Sequence, residues 1–326
     1  MKLNPKLYKS DVEQEAIRTG FGRGLVAAGR KDDRVVALCA DLTESTQMDG
    51  FAKEFPERFI EIGVAEQNLV TVAAGLALAG KIPFVSSYAA FSPGRNWEQI
   101  RTTICLNETN VKIAGSHAGV SVGPDGATHQ MLEDIALMRV LPNMRVIVPC
   151  DSLEAEKATV ALAASEGAAY IRLAREKTPV VTTRDTPFNL GKAQVLREGK
   201  DLTMIACGPM VYQALIAAEE LSADGIEAEV INCPVVKPLD QETILASVRK
   251  TRAAITAEEA QAAGGLGGVI AELLGEFDPV PLLRVGMQDR FGESGKPNEL
   301  LEHFKLTAPH IARLARTLRS RSLTPS

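Results

Sequence analysis

A chain of 326 residues, 45% hydrophobic and 24% charged, is long enough for two domains with ordinary cores and needs no metal or disulfide staples. Its net charge of -5 gives no global attraction for nucleic acid or an anionic membrane, and neither is expected as a partner. The longest apolar stretch, near Leu69 to Gly80, is too short to cross a bilayer.

Taken in chain order, a first helix is predicted from Ser10, with Glu13 completing a capping box and Ile17, Phe21 and Leu25 at helical spacing. Apolar, β-branched runs then predict strands at Arg34 to Cys39, Ile82 to Ser87, Val111 to Gly115, Met144 to Val148 and Ala169 to Leu173. A helix opening at Glu66 is apolar nearly all round and is expected to be buried. Another starts at Asp151, with Glu154 in a capping arrangement. Residues 174–200 hold Pro179, Pro187 and several charges and predict no long helix. A second strand series follows at Leu202 to Cys207, Ala228 to Asn232, Ala253 to Thr256 and Leu282 to Val285. The last helix places Arg313, Arg316 and Arg319 on one face, read as solvated. Such alternation predicts an α/β fold of two domains, each a mostly parallel sheet flanked by helices. The boundaries expected are 1–180 and 201–326, joined by a linker at 181–200.

The five cysteines, Cys39, Cys105, Cys150, Cys207 and Cys233, show no CxxC spacing, so neither a zinc knuckle nor a redox dithiol is indicated. They read as buried thiols in a reducing compartment. The first residues, MKLNPKLYKSDVEQEAIR, lack the apolar core of a signal peptide, and a cytoplasmic location is expected.

Four groups of residues are candidates for chemistry. Gly63-Val64-Ala65-Glu66-Gln67 puts a carboxylate at the head of an apolar helix. Glu66 either complements the helix N-terminus or bonds a ligand. The loop from His117 to Gln130 follows a predicted strand, at the end where α/β sheets bind ligands. It holds Asp125 and two of the four histidines, His117 and His129. Gly119-Val-Ser121-Val-Gly123 inside it matches Gly-x-Ser-x-Gly, but Pro124, Asp125 and Gly126 keep the chain in loop where a nucleophile elbow turns into helix. Tyr88 and Phe91, scarce aromatics at a strand end, serve either core packing or stacking on a planar ring. Arg18, Arg172 and Arg175 are surface charges taken singly, and with Ser45 they could bind phosphate. No GxxxxGK[ST] loop and no strand-linked GxGxxG occurs.

The ordered set Asp41-Leu-Thr-Glu-Ser45, Gly-Val-Ala-Glu66-Gln, Tyr88-Ala-Ala-Phe91, His117 and Asp125-Gly-Ala-Thr-His129-Gln resembles the pyrimidine-binding domain of transketolases. From about Asp201 to Arg316, with Asn232-Cys-Pro-Val-Val-Lys-Pro-Leu-Asp240 and Glu258-Glu-Ala-Gln-Ala-Ala-Gly-Gly, the chain resembles the transketolase C-terminal domain. The resemblance implies thiamine diphosphate as cofactor. Glu66 would bond the pyrimidine ring nitrogen and favour the imino tautomer, Phe91 would stack on the ring, and Tyr88 would stand beside it. It implies that Asp125 and His129 bond sugar hydroxyls, and that Arg18, Ser45, His117 and Arg175 hold the phosphate end of the sugar. Asp41 matches a motif residue near the subunit interface.

Two departures stand out. Phe91-Ser-Pro-Gly-Arg95-Asn-Trp97 lacks the further aromatic that long transketolases carry near Gly94, and Gln67 after Glu66 matches deoxyxylulose-phosphate synthases. The family's Gly-Asp-Gly and Asn motif for diphosphate and Mg2+ is absent from this sequence. The chain is therefore expected to be the C-terminal subunit of a split transketolase, active only in an α2β2 complex with an N-terminal subunit that carries that motif. The reaction expected is transfer of a two-carbon ketol unit from a ketose phosphate to an aldose. Deoxyxylulose-phosphate synthase, a 2-oxo acid dehydrogenase beta subunit and a non-catalytic module of the same fold are the alternatives.

Overall fold

The computed structural model describes residues 2–322. Its strands are β1 (Gln14–Ala16), β2 (Val35–Cys39), β3 (Phe59–Glu61), β4 (Ile82–Tyr88), β5 (Lys112–Ser116), β6 (Met144–Ile147) and β7 (Ala168–Arg172). They continue with β8 (Lys177–Pro179), β9 (Gln194–Arg197), β10 (Leu202–Ala206), β11 (Ala228–Asn232), β12 (Val235–Lys237), β13 (Ala254–Gln261) and β14 (Leu282–Met287). Every residue of β2, β5, β7, β10 and β11 is buried, as expected of strands covered on both faces.

The first sheet runs β12-β6-β7-β5-β4-β2-β3, and all its pairs are parallel except the edge pair β12–β6. The second runs β14-β13-β10-β11-β9, parallel except at its β9 edge. The expected α/β architecture of two mostly parallel sheets flanked by helices is observed. Helices on both faces bury the sheets, and one apolar cluster, from Leu38 and Tyr170 to Ile205 and Ile231, spans both. β12 lies in the C-terminal half yet closes the first sheet, opposite β6, with Val235 facing Ile147.

Three expectations need correction. Ser10 does not start a helix, because the following backbone enters a sheet: β1 pairs antiparallel with β8, Glu15 facing Thr178. The helix begins at Ile17, capped by no side chain. The Glu66–Leu78 helix is not buried all round: Leu69, Val70, Ala73 and Ala74 face the core, while Val64, just before it, and Leu78 are 69% and 73% exposed. Arg172 is no surface charge; it lies in the core, 2.9 Å from the buried Asp134. The Asp151 cap is present: its carboxylate accepts the Glu154 N–H at 2.7 Å, and also the Val181 and Thr182 N–H groups. On the last helix, Ala308–Ser322, Arg316 pairs with Asp224 at 2.6 Å across the surface. No helix among the described residues is long and apolar enough to cross a membrane.

Candidate active site

Carboxyl ends of parallel strands converge at one crevice of the first sheet, where strand order reverses around β2: the chain goes to β3 on one side and to β4 and β5 on the other. Tyr88 ends β4 and Phe91 sits in the turn after it. His117 follows β5 directly, in the left-handed region at φ 57°.

Four rings gather there. Tyr88 and His117 stack with centroids 3.8 Å apart, and Tyr88 and Phe91 stack at 5.9 Å. His129, brought back by the loop, meets Phe91 edge-on at 5.3 Å and Tyr88 at 6.1 Å. Thr128 Oγ1 lies 2.9 Å from His129 Nδ1, and Ser116 Oγ 2.9 Å from His117 Nδ1.

At one end of the ring cluster sits Glu66, the first residue of its helix and only 4% exposed. Both its carboxylate oxygens are 3.2 Å from Arg95 Nη1. The Arg95 guanidinium also covers Phe91, 4.1 Å from the ring centroid. Asn96 Nδ2 donates to the Glu66 carbonyl at 2.8 Å and ties the two segments together. In the sequence Arg95 marks only a departure from longer relatives, and nothing local signals that its side chain folds back onto Glu66.

At the other end stand two half-buried arginines. Arg18 donates from Nε to the Arg175 carbonyl (3.3 Å) and from Nη1 to the Ser45 carbonyl (2.5 Å). Arg175 donates to the Val122 carbonyl at 2.9 Å and pairs with Glu176 at 3.0 Å. Burial and the neighbouring Arg175 charge both push the Arg18 pKa down. Burial lowers the pKa of His117 to about 3, helped by Arg18, Arg175 and His129, so this ring is neutral at physiological pH. Two guanidiniums beside a neutral imidazole form a site that an anion would stabilise.

The structure thus brings together Arg18, Ser45, Glu66, Tyr88, Phe91, His117, His129 and Arg175 along one crevice. Ser45 contributes its carbonyl. Asp125 is exposed on the loop, where its carbonyl accepts from Thr128 Oγ1 at 3.4 Å. Arg172 stays apart, in the buried pair with Asp134. Ser121 sits in a 3-10 turn, Val120–Val122, where an elbow would need strand running into helix. The glycine-rich start of the Leu266–Phe277 helix turns to the protein's own Glu258, whose oxygens accept the Leu266 and Gly267 N–H groups at 2.7 Å each. Among the described residues no group of three or more His, Cys, Asp or Glu side chains could hold a metal ion.

Two known domain families match the chain in order. The transketolase pyrimidine binding domain matches residues 13–180, and the transketolase C-terminal domain matches residues 191–311. The chain is 44% identical over 314 residues to the 6-deoxy-6-sulfo-D-fructose transketolase subunit SqwH of a Clostridium strain, covering 96% of this chain and 98% of that one. It is 38% identical to one of the subunits of the apulose-4-phosphate transketolase of Phocaeicola vulgatus, covering 92% of this chain and 96% of that protein. A solved structure described as a split gene transketolase, inactive beta4 tetramer, superposes with a TM-score of 0.88 at 47% identity, covering 94% of this chain and 98% of that one. Transketolase from Leishmania mexicana shares the fold at a TM-score of 0.81 and 22% identity, and this chain spans 48% of it. With both domains matched in order and full-length relatives among split subunits, the chain belongs to the transketolase family.

Proposed function

We propose that this chain is the C-terminal subunit of a split, thiamine-diphosphate-dependent transketolase, which transfers a two-carbon ketol unit from a ketose phosphate to an aldose. The observation that carries this reading is the placement of Arg95. A planar, N–H-bearing group already lies against the Phe91 face and bonds the buried Glu66 carboxylate. Those are the two contacts an aminopyrimidine ring needs, so the residues present fit the cofactor. When bound, thiamine diphosphate supplies the electron sink for the two-carbon unit.

The chain's own residues take the remaining roles. Glu66 holds the proton balance at the pyrimidine nitrogen. Phe91 provides the stacking face, and Tyr88 stands between it and His117. His129, edge-on to both aromatic rings, and Asp125 on the same loop are assigned to sugar hydroxyls. Arg18 and Arg175, with the Ser45 hydroxyl and neutral His117, take the phosphate. Mg2+ and the diphosphate are assigned to an N-terminal partner subunit, in an α2β2 assembly. The relatives described as transketolase subunits support a partner, and the inactive beta4 tetramer supports inactivity of this chain alone. Five buried free cysteines fit a reducing, cytoplasmic setting.

The test is Glu66→Gln in the complex reconstituted with the N-terminal subunit. The variant is expected to keep the wild-type melting temperature and most substrate affinity. Hydrogen–deuterium exchange at the thiazolium carbon should slow by roughly a hundred- to ten-thousand-fold, the usual range for general acid–base contributions. Near-normal exchange with a lowered melting temperature would reduce Glu66 to a helix-terminus carboxylate worth about 0.3–1 kcal/mol and remove the reading's support.

A further inference from the structure

The ring cluster and both arginines belong to the first domain, yet the loop from His117 to Gln130 is gripped by the second. Glu259, on β13 and only 2% exposed, accepts the Ser121 N–H through Oε1 at 2.6 Å. Gly119 makes room for it: φ there is +93°, and a Cβ would lie 2.4 Å from the same oxygen. The Glu259 backbone is fixed in turn, because Arg172 Nη2 donates to its carbonyl at 2.8 Å while Arg172 Nε bonds Asp134. At the far end of the loop, buried Gln130 donates to the Val120 and Gly123 carbonyls (3.1 Å each) and to the Glu293 carbonyl at 2.9 Å. A Cβ on Gly126 would lie 2.4 Å from Ser294 Oγ, so that segment also packs against the loop.

A buried carboxylate is a costly way to fill space, and an apolar side chain would pack as well at lower cost. Its value lies in direction, because a hydrogen bond to a carboxylate fixes a backbone N–H in place. His117 and His129 flank the segment so fixed, whereas Glu66 and Phe91 lie on other elements.

We propose that Glu259 is a positioning residue: by holding Ser121, the C-terminal domain sets the geometry of the loop that carries the sugar-binding histidines. It acts on the sugar end of the crevice and leaves the pyrimidine end alone. The sugar half of this statement rests on the transketolase reading; the loop half does not.

Two variants of similar volume separate the roles. Glu259→Gln keeps a carbonyl acceptor for Ser121, and Glu259→Met removes it. Amide hydrogen exchange over residues 119–131 is measured on the full chain, and KM for a ketose phosphate and Kd for thiamine diphosphate on the complex with the N-terminal subunit. Glu259→Met is expected to speed exchange at Ser121 and raise KM by about three- to tenfold, the size of one ordinary hydrogen bond. The cofactor Kd should stay within about twofold, and Glu259→Gln should track the wild type in all three, as expected when only the acceptor matters. Should Glu259→Met not fold, Glu259→Ala removes the acceptor without adding volume and carries the same expectations. Unchanged loop exchange, equal shifts in KM and cofactor Kd, an unchanged KM, or equal damage from both variants overturns the proposal. A wild-type complex that transfers no ketol unit sinks the transketolase reading instead, while the exchange data still decide whether Glu259 holds the loop.

Discussion

Arg95 lies where Glu66 and Phe91 converge, its guanidinium carbon 4.1 Å from the Phe91 centroid and its Nη1 3.2 Å from both Glu66 oxygens. A ring that stacks on Phe91 and bonds Glu66 must displace it. Arg95 is about half exposed, so the ion pair and the cation–π contact together are worth only about 1–2 kcal/mol. Arg95→Ala in the reconstituted complex is therefore expected to tighten thiamine diphosphate binding about 5- to 30-fold by calorimetry. Weaker binding would show that Arg95 holds the cofactor and does not compete with it.

His117 gives a pH dependence whose sign is fixed. Its folded pKa, about 3, lies below the ordinary 6.5, so between these values the unfolded chain binds more protons. Stability from this group is complete above pH 6.5 and is lost as pH falls towards 3. His117→Asn removes that dependence. From pH 6.5 to pH 5, wild type should lose about 1.5 kcal/mol more than the variant in urea unfolding. Because the ring is neutral throughout, the variant should raise KM for a sugar phosphate without changing the shape of the pH–rate profile above pH 6. Equal acid sensitivity in the two proteins would mean that His117 is not held neutral.

Arg172 and Arg175 are three residues apart but differ in burial, and their energetics should differ accordingly. Asp134→Ala leaves the buried Arg172 without its ion-pair partner and the Tyr170 hydroxyl without its acceptor. The expected loss is about 3 kcal/mol of unfolding free energy. Arg175→Ala should lose less than about 1 kcal/mol, since its pair with Glu176 is half exposed. The same variant should raise KM for a phosphorylated substrate about 10- to 100-fold, as loss of a charge-assisted contact to phosphate. Chemical denaturation and steady-state kinetics on both variants check this, and matching stabilities would contradict the burial contrast.

By itself the chain should bind thiamine diphosphate poorly and transfer no ketol unit, because a bound divalent ion is the natural balance to the diphosphate charge. Calorimetry on the isolated chain with cofactor and Mg2+ tests this, and submicromolar binding would refute it. Co-expressed with its N-terminal subunit, the chain should give an α2β2 mass, the closed twofold outcome. A fully active 1:1 complex would contradict that assembly.

Local patterns in the sequence determined the central strands of both sheets, but not β3, β9 and β12 at their edges. Val35–Cys39 is buried on both faces, and such a strand reads as an unbroken apolar run wherever it pairs. Tyr88, Phe91, His117 and His129 meet because strand-end loops in an α/β sheet fall on one edge. Pairings between distant segments were decided only by the tertiary structure. The backbone after Ser10 became a strand because β8, more than 150 residues away, supplied its hydrogen bonds. β12 joined the first sheet, Arg172 found Asp134 in the core, Arg95 folded onto Glu66, and Glu259 reached Ser121 from the other domain. A charged residue reads locally as a surface residue, and its burial becomes favourable only once a distant partner arrives to satisfy it.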